Sequence, residues 1–426
     1  MRILIIGNSA TAVGAVESIR QHDEEAEIVV VSEESYSMIY SRPMLSHYLG
    51  GEIEKSRLAY RGEDFYRRYD VTPILGTRIV EIEPEEHRIR AASGETYDYD
   101  RLVISTGGTP IVPPIPGMDT GGVYTFTRLE DAEGIIQALE ERAVERCIVV
   151  GGGMIGMKTI DALMKRGASV TILELAPHIL GAALDETGSR MMTRLLESAG
   201  VNVLTENTVE EIQSSEGQIK SVRLRDGRLL DCDLLIFGIG VRPNAGLAEE
   251  AGIEVNRGIV VDQYMRTSAL DIYAAGDVAE AYDLVVDMNR TVAIWPNAYR
   301  QGAVAGAHAV GVSRPDEGGV AMNTVEVCGV PAMSIGNGNA SGEDCEVLME
   351  HDAENHRYKR LVLQDDRLAG AILIGDVGRA GIYTGLIRSK VDVSDCRDGL
   401  LREHFGLLSL PDQYRKHIVT GLGIEV

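Results

Sequence analysis

The stretch that decides the fold is Cys147-Ile-Val-Val-Gly-Gly-Gly-Met-Ile-Gly-Met-Lys158, in which four apolar residues lead into a glycine-rich turn. Glycines occupy the first, third and sixth places of the turn, at Gly151, Gly153 and Gly156. In a strand–turn–helix unit these glycines permit the tight turn, the approach of backbone N–H groups to a pyrophosphate, and close packing of the helix on the strand. The start of the helix also favours negative charge. The stretch therefore predicts a dinucleotide site; the alternative is a turn that merely tolerates glycine.

The next predicted strand, Ser169-Val-Thr-Ile-Leu173, ends in Glu174. An acid at this place suits the 2′-OH of a ribose and repels a 2′-phosphate, so we predict a site for NAD(H) rather than NADP(H). The residues predicted to bind this nucleotide are Gly151, Gly153, Met154, Ile155, Gly156, Glu174 and Gly240.

Length, charge and cysteine usage narrow the class of protein. A chain of 426 residues is long enough for two or three domains. The net charge of −24 argues against general binding to nucleic acid or to an anionic membrane. No apolar run is long enough to span a membrane, and no signal peptide precedes the first strand, so we expect a cytoplasmic protein. The five cysteines have no metal-ligand spacing, so no metal site is predicted.

The first residues show a weaker version of the same motif. The apolar run Arg2-Ile-Leu-Ile-Ile6 enters a turn at Gly7, but Ser9 and Ala12 occupy places where glycine is usual. A second apolar run leads to Glu33, so an acid again follows at the distance expected for a ribose. We predict a second, degenerate dinucleotide site in this region.

Further segments repeat between the two halves. The run ending in Thr106-Gly107 has a counterpart in the run ending at Gly240, so the sequence predicts two Rossmann-like modules and two bound dinucleotides, one a tight cofactor and one a passing substrate.

Arg42 is a candidate partner for a phosphate, with a solvated loop arginine as the alternative. Asp277 either accepts hydrogen bonds from a sugar-alcohol chain or caps a helix. The helix beginning at Trp295 is predicted to face a ring that becomes anionic on reduction.

Five motifs carry a family resemblance: Gly7 to Ala12, Thr106-Gly107, Gly151 to Gly156, Phe237 to Asn244 and Tyr273 to Asp277. In this order they resemble the pyridine nucleotide–disulfide oxidoreductases, flavoproteins with two dinucleotide sites. The resemblance implies bound FAD in the first module and NAD(H) as substrate in the second. The residues it implies for FAD are Gly7, Ser9, Ala10, Ala12, Glu33, Arg42, Pro43, Val80, Thr106, Gly107, Arg128, Gly276, Asp277 and Asn297.

The fold expected from the modules and the resemblance is α/β, with two Rossmann-like dinucleotide-binding domains plus a C-terminal α+β interface domain. The expected FAD domain has two segments, 1–112 and 246–318. The NAD(H) domain, 113–245, is inserted between them, and the C-terminal domain spans 319–426.

A missing cysteine selects the branch of the family. Thiol-active members carry a cysteine on the stretch beside the flavin, whereas Ser41 to Ser46 contains none, so we set thiol reduction aside. The pattern from Tyr40 to Ser46 is similar to that of rubredoxin reductases, ferredoxin reductases and the flavin half of nitrite reductases. It is also similar to that of FAD subunits of iron–sulfur complexes such as aldehyde and phenylglyoxylate oxidoreductases.

Two residues depart from that branch, which often has lysine at the place of His47 and glutamate at the place of Lys158. Our hypothesis is that Lys158 lies near flavin and nicotinamide and raises the flavin potential by favouring its anionic reduced form. The alternative is an exposed helix lysine.

The predicted function is hydride transfer between NAD(H) and FAD, with electrons exchanged with an iron–sulfur or rubredoxin/ferredoxin-like partner, plausibly as the flavin subunit of a larger complex. The chain has no iron–sulfur ligand spacing of its own, so such a centre belongs to the partner. The C-terminal domain is expected to form a homo- or hetero-oligomer. The alternatives are a self-sufficient NADH oxidase, a non-catalytic assembly subunit with structural FAD, and a reductase of a small soluble substrate.

Overall fold

The computed structural model describes residues 1–406 and 409–410. The chain forms two compact units. The first comprises Met1–Pro113, Tyr124–Arg142 and Gly240–Gly319. The second comprises Pro114–Val123, Ala143–Ile239 and the described residues from Val320 onward. The domain boundaries stated from the sequence stay predictions.

Helices and strands alternate along much of the described chain. The helices are α1 Ala10–His22, α2 Leu45–Leu49, α3 Phe65–Arg68, α4 Leu129–Glu141, α5 Met154–Lys165, α6 Glu186–Ser198, α7 Gly246–Glu250, α8 Trp295–Ala309 and α9 Ala380–Arg388. Three 3₁₀ turns span Arg42–Met44, Lys55–Leu58 and Ser394–Gly399. The strands are β1 Arg2–Ile6, β2 Glu27–Ser32, β3 Val71–Leu75, β4 Ile79–Glu83, β5 Arg88–Ala91, β6 Thr96–Asp98, β7 Arg101–Ile104, β8 Gly108–Pro110, β9 Val123–Thr125, β10 Arg146–Val150, β11 Ser169–Leu173, β12 Asn202–Leu204, β13 Val209–Ser215, β14 Gln218–Leu224, β15 Leu229–Asp231, β16 Leu234–Phe237, β17 Val241–Pro243, β18 Ile259–Val260, β19 Ile272–Ala274, β20 Ala279–Asp283, β21 Met288–Arg290, β22 Met322–Val327, β23 Val330–Gly336, β24 Glu346–Asp352, β25 Arg357–Gln364 and β26 Arg367–Ile374.

A five-stranded parallel sheet forms the core of the first unit, in the order β19-β7-β1-β2-β3. Its central strands are unbroken apolar runs because helices and loops cover both faces. In β1, Ile3 to Ile5 are completely buried. An antiparallel sheet of β4, β5 and β6 follows β3 in the chain. The carboxyl ends of the parallel strands lead to some of the predicted cofactor residues, namely Gly7, Glu33, Thr106, Gly107, Gly276 and Asp277, as expected for open α/β sheets.

Helices α1 and α8 pack backbone to backbone on this sheet. A Cβ atom added at Gly302 would lie 2.0 Å from the carbonyl oxygen of Thr11, and one added at Gly14 would lie 2.1 Å from that of Tyr299. No side chain fits at either position. Because α1 begins three residues after Gly7, this packing sets where the N-terminus of α1 stands relative to that of α8.

The second unit repeats the first. Strand β10 lies between β11 and β16, and β11 continues the parallel sheet to β12. The antiparallel strands β13, β14 and β15 correspond to β4, β5 and β6. The same unit holds an antiparallel sheet in the order β22-β23-β26-β25-β24, against which α9 packs. The predicted fold class, two Rossmann-like modules and a C-terminal α+β region, is confirmed.

We expect Gly302→Ala to lower the free energy of unfolding by about 3 kcal/mol, because overpacking is costly and the obstacle at this position is backbone rather than a side chain that can move. Gly385→Ala is the matched control, since Gly385 lies within α9 and has no atom near the position of an added Cβ. That exchange should be neutral or stabilising by up to about 1 kcal/mol. Urea unfolding of both variants measures the difference. Equal stabilities would contradict the helix packing described above.

Candidate cofactor sites

The first glycine loop joins β1 to α1. Gly7 has φ +114°, and a Cβ there would lie 2.2 Å from the carbonyl oxygen of Ser105, so the turn requires glycine. Ser9 is the N-cap residue of α1, and its side chain makes no capping hydrogen bond. Ala10 and Ala12 are buried in the first turn of α1. The methyl group of Ala12 is therefore accommodated where a glycine is usual.

Tyr66 lies beside this loop, and the sequence did not identify it as a candidate site residue. Its hydroxyl is buried beside Asn8 without a well-formed hydrogen bond. Burial raises the pKa of Tyr66 to about 12, so the hydroxyl keeps its proton. A buried donor without a partner is costly, and a phosphate or sugar oxygen at the loop would satisfy it. The aromatic residues around position 65 were the available signal in the sequence.

Two of the residues predicted for FAD, Glu33 and Arg128, lie close together beyond β2. The Arg128 Nη2 atom lies 3.7 Å from Glu33 Oε2, although the two residues are far apart in the chain. The Glu33 side chain is 53% exposed, which leaves it available to a ribose. Val80 lies at a break in the register of β4 against β5, so it has no opposite residue and its backbone groups are available.

Arg42 and Asp277 come together at the opposite end of this site. Arg42 Nη1 donates to the carbonyl oxygen of Thr127 at 2.9 Å, and Nη2 lies 2.5 Å from Glu34 Oε1. The Asp277 carboxylate makes no hydrogen bond with any residue that the structure describes. Burial raises its pKa, and the positive charge of Arg42 opposes that rise. A half-buried carboxylate without donors is ready to accept hydrogen bonds from hydroxyl groups.

The interpretation of Asp277 as a helix cap is wrong. The chain continues into β20 at Ala279, not into a helix, because Gly276 adopts φ +81° and turns the backbone into the next strand. The Gly276 N–H donates to Gln301 Oε1 at 2.9 Å, which ties this turn to α8. Pro43 lies in the 3₁₀ turn that carries Arg42.

The remaining predicted residues of the first unit lie after strand β7 and at the start of helix α8. Thr106 Oγ1 donates to the carbonyl oxygen of Asn244 at 3.0 Å, and Asn244 Nδ2 donates back to that of Thr106 at 2.9 Å. Gly107, next in the chain, has φ +65°. Asn297 is buried in the first turn of α8. Asn244 thus clamps the Thr106-Gly107 turn, a role that the sequence did not predict.

The second glycine loop follows β10, and at Gly151 and Gly156 it leaves no room for a side chain. Gly151 has φ +110°, and a Cβ there would lie 2.5 Å from the carbonyl oxygen of Gly238. A Cβ at Gly156 would lie 1.8 Å from the carbonyl oxygen of Gly151. A Cβ at Gly153 meets no atom within 4 Å. Gly153 is the N-cap of α5, whose first residues are Met154 and Ile155, so its freedom from contacts leaves space for a ligand above the helix start.

Glu174 accepts backbone hydrogen bonds through both carboxylate oxygens, one of them from the glycine loop. Oε2 accepts from the Gly152 N–H at 2.6 Å, and Oε1 accepts from the Ala176 N–H at 2.7 Å. The acid is therefore held at the edge of the loop, with lone pairs left for a ribose hydroxyl. Gly240 has φ +115°, as a glycine-dependent turn requires.

Lys158 lies one turn into α5. Burial lowers the pKa of its ammonium group. It makes no hydrogen bond or ion pair within the part of the chain that the structure describes. His47, by contrast, has a partner: its Nδ1 lies 2.7 Å from Glu52 Oε2. The burial of Lys158 disfavours the alternative that it is an exposed helix lysine.

Comparison with known proteins identifies the family. Residues 1–302 match the pyridine nucleotide-disulphide oxidoreductases, and residues 322–391 match the C-terminal domain of rubredoxin NAD+ reductase. The chain belongs to the pyridine nucleotide-disulphide oxidoreductase family. This family binds FAD and uses NAD(H), as the resemblance implied.

Three similar proteins illustrate the range of the family. The chain is 30% identical over 400 residues to a nitrite reductase [NAD(P)H] of Bacillus subtilis (strain 168), which covers 92% of this chain and 48% of that protein. It is 30% identical over 399 residues to the NADH-dependent phenylglyoxylate dehydrogenase subunit epsilon of Aromatoleum evansii, covering 93% of each. A solved putidaredoxin reductase–putidaredoxin complex matches with a TM-score of 0.84 and 26% identity, covering 92% of this chain and 94% of that chain.

The lengths of these relatives differ. The chain spans about half the length of the nitrite reductases and of the assimilatory nitrate reductase subunit that it matches. It spans nearly all of the phenylglyoxylate dehydrogenase subunit. Within the described residues, no helix has the length and the hydropathy needed to cross a membrane.

The residues present fit both dinucleotides. In the first unit, the Tyr66 hydroxyl is a buried polar group without a hydrogen bond, and the Asp277 carboxylate is a half-buried one; a bound FAD would satisfy both. In the second unit, the space above Gly153 and the tethered acid at Glu174 suit a dinucleotide without a 2′-phosphate. The roles of the individual residues are proposals.

We expect Gly153→Ala to weaken the binding of NADH while leaving the fold stable. Because the added methyl group meets no protein atom, the fold should lose no more than about 1 kcal/mol, the cost of alanine at an N-cap. The methyl group would occupy the predicted pyrophosphate space, so the KM for NADH should rise about tenfold or more. Thermal unfolding and NADH titration measure the two effects.

Gly156→Ala is the matched comparison. Its methyl group would meet the Gly151 backbone, so stability and NADH use should fall together. A Gly153→Ala protein with an unchanged KM for NADH would contradict the assignment of the pyrophosphate site.

Proposed function

We propose that the chain transfers hydride between NAD(H) and FAD and exchanges electrons with an iron–sulfur or rubredoxin-like protein, as the flavin subunit of a larger complex. The observation that carries the proposal is the presence of two glycine loops in one chain, each with its first glycine in contact with a neighbouring strand end. At Gly7 and Gly151 alike, an added Cβ would strike a backbone carbonyl. Two dinucleotide sites in one fold are what hydride transfer between two cofactors needs.

FAD, when bound, accepts two electrons as hydride and can release them one at a time. The residues of this chain bind and orient it. Asp277 would accept hydrogen bonds from the sugar-alcohol chain, and Arg42 supplies the nearby positive charge. The N-terminus of α8 has no side-chain cap, so its N–H groups and dipole remain available to stabilise negative charge on a reduced ring.

The cysteines do not support thiol chemistry. None lies in the stretch from Ser41 to Ser46. Burial raises the pKa of Cys147 to about 12, and that of Cys232 to about 12. Both thiols therefore stay protonated, whereas a thiol reductase needs a thiolate. Electrons from the flavin are thus proposed to leave for a partner protein rather than for a disulfide of this chain.

The relatives support such a partner. One relative is a subunit of an NADH-dependent phenylglyoxylate dehydrogenase, and one solved relative is a reductase in complex with putidaredoxin. Another relative is an NADH oxidase of Methanocaldococcus jannaschii, 32% identical over 319 residues. The second candidate function is therefore transfer of electrons from NADH to oxygen.

We expect NADH, added without oxygen, to bleach the flavin absorbance at roughly 450 nm, a property of oxidised flavin, and NADPH to do so poorly. Rapid oxygen consumption on admitting air would favour the oxidase function. Flavin that NADH leaves oxidised would favour a structural role for FAD and contradict the proposal.

The Glu174→Gln variant tests the choice of nucleotide. The amide keeps one acceptor oxygen but loses the negative charge that repels a 2′-phosphate. We expect the ratio of kcat/KM for NADH to that for NADPH to fall about tenfold, which corresponds to about 1.4 kcal/mol. An unchanged ratio would show that Glu174 does not select the nucleotide.

Lys158→Glu tests the proposed influence of Lys158 on the flavin. Replacing a cation by an anion disfavours the anionic reduced flavin, so the reduction potential should fall. Lys165→Glu, on the same helix and exposed, is the control and should leave the potential unchanged. Redox titration of both variants measures the shift. A Lys158→Glu variant with the flavin reduction potential of the wild type would contradict the hypothesis.

A further inference from the structure

Two successive acids after β2 have opposite surroundings. The Glu33 side chain is 53% exposed, and its Oε2 atom lies 3.7 Å from Arg128 Nη2. The Glu34 side chain is only 17% exposed. Its Oε1 atom lies 2.5 Å from Arg42 Nη2, and its Oε2 atom accepts from the Tyr40 hydroxyl at 2.8 Å. Both carboxylate oxygens of Glu34 are therefore bound within the protein.

Tyr40 connects Glu34 to the start of α4. Tyr40 is buried, and its hydroxyl accepts from the Leu129 N–H at 3.2 Å while it donates to Glu34. The guanidinium of Arg42 lies over the Tyr40 ring, 5.4 Å from its centre. Arg42 also donates to the carbonyl oxygen of Thr127 at 2.9 Å. A carboxylate, a carbonyl oxygen and an aromatic face together fix the orientation of this planar cation.

A second carboxylate, that of Asp277, lies within the influence of Arg42 but is not bonded to it. Burial raises the pKa of Asp277, and the positive charge of Arg42 opposes that rise. Even so, Asp277 makes no hydrogen bond or ion pair with a residue that the structure describes. An arginine between two carboxylates can pair with either of them. The bonds from Arg42 to Glu34 and Thr127 therefore keep it from pairing with Asp277.

We propose that Glu34 is a positioning residue, which holds Arg42 so that both Arg42 and Asp277 remain available to FAD. This inference rests on the proposed function and adds the residue that keeps these two groups apart. The guanidinium has further N–H groups beyond those bonded to Glu34 and Thr127, and these can bind an anionic ligand. Without the charge of Glu34, Arg42 would pair with Asp277, and the FAD site would lose a cation and an acceptor together.

The same unit contains a matched copy of this arrangement. The Tyr36 hydroxyl donates to Glu133 Oε2 at 2.8 Å, and Lys55 Nζ lies 2.5 Å from Glu133 Oε1. Lys55 lies over the Tyr36 ring, 5.3 Å from its centre. Glu133, like Glu34, thus accepts from a tyrosine and pairs with the cation above that tyrosine. None of Tyr36, Lys55 and Glu133 is among the residues predicted for FAD, so Glu133 is a suitable control.

The test uses the flavin-loaded full chain and four variants, which are Glu34→Gln, Glu133→Gln, Arg42→Gln and Glu34→Gln/Arg42→Gln. Release of FAD after dilution is measured as the flavin that passes an ultrafiltration membrane. Thermal unfolding and the KM for NADH are measured in parallel. Because NADH is assigned to the second unit, a change confined to the FAD site should leave the KM for NADH within about twofold of the wild type, whereas general loss of structure would raise it.

We expect Glu34→Gln to release FAD about tenfold faster than the wild type, because Arg42 is no longer held by a charge-assisted bond. Glu133→Gln should stay within about twofold of the wild type. In the Arg42→Gln background, Glu34→Gln should change the release rate by less than about twofold, since a residue that acts through another has no effect when the other is absent. Unchanged release in Glu34→Gln, equal acceleration in Glu133→Gln, or additive effects in the double variant would each overturn the proposal.

Tyr40→Phe tests the same link by a smaller change, and it serves if Glu34→Gln does not fold. It keeps the aromatic ring and removes one of the two bonds to Glu34. We expect it to accelerate FAD release about threefold or more, the effect of one lost hydrogen bond. Tyr36→Phe, which removes the matching bond to Glu133, should not accelerate release. Equal rates in the two tyrosine variants would contradict the role of Glu34.

Further outcomes separate this inference from the proposed function. If FAD release depends on Glu34 through Arg42 but NADH leaves the flavin oxidised, the positioning role stands and the proposed function fails. If NADH bleaches the flavin and all variants release FAD at the same rate, the positioning role alone is wrong. A purified wild type that carries no flavin would overturn both.

Discussion

The structure depends on the approach of one backbone to another at glycines. At Gly156 the added Cβ would lie 1.8 Å from the Gly151 carbonyl oxygen, and at Gly7 it would lie 2.2 Å from that of Ser105. These contacts place a helix N-terminus directly above the end of a strand, and unpaired N–H groups at such a place favour the phosphates of a dinucleotide. Any side chain at these positions would separate helix from strand, and the rest of each site would then lose its geometry.

The two sites differ in how their acids are satisfied. Glu174 is held by two backbone N–H groups at the edge of its loop, so it is already oriented before a nucleotide arrives. Asp277 is half-buried without a donor among the described residues, and the buried Tyr66 hydroxyl lacks a well-formed hydrogen bond. A site whose polar groups are already hydrogen-bonded can release its ligand at little cost in free energy. A site with unsatisfied buried groups is stabilised whenever its ligand is bound. This contrast is consistent with NAD(H) as an exchanging substrate and FAD as a retained cofactor.

Two cysteines of the second unit, Cys147 and Cys232, are almost completely buried. Burial keeps the thiols of Cys147 and Cys232 protonated, so the same chain offers no competing route through these thiols.

The sequence by itself determined the two modules and their order, because glycine spacing, apolar runs and the acids after them are local patterns with strict geometric meaning. It did not determine the surroundings of those loops. The helix predicted after Asp277 is a strand, since the backbone turn at Gly276 and its bond to Gln301 depend on α8. Asn244 and Tyr66 also came to lie beside predicted FAD residues only through folding, since Asn244 bonds to Thr106 and Tyr66 lies beside Asn8 of the first glycine loop. These contacts join residues that no sequence period relates, so only the tertiary structure decided them.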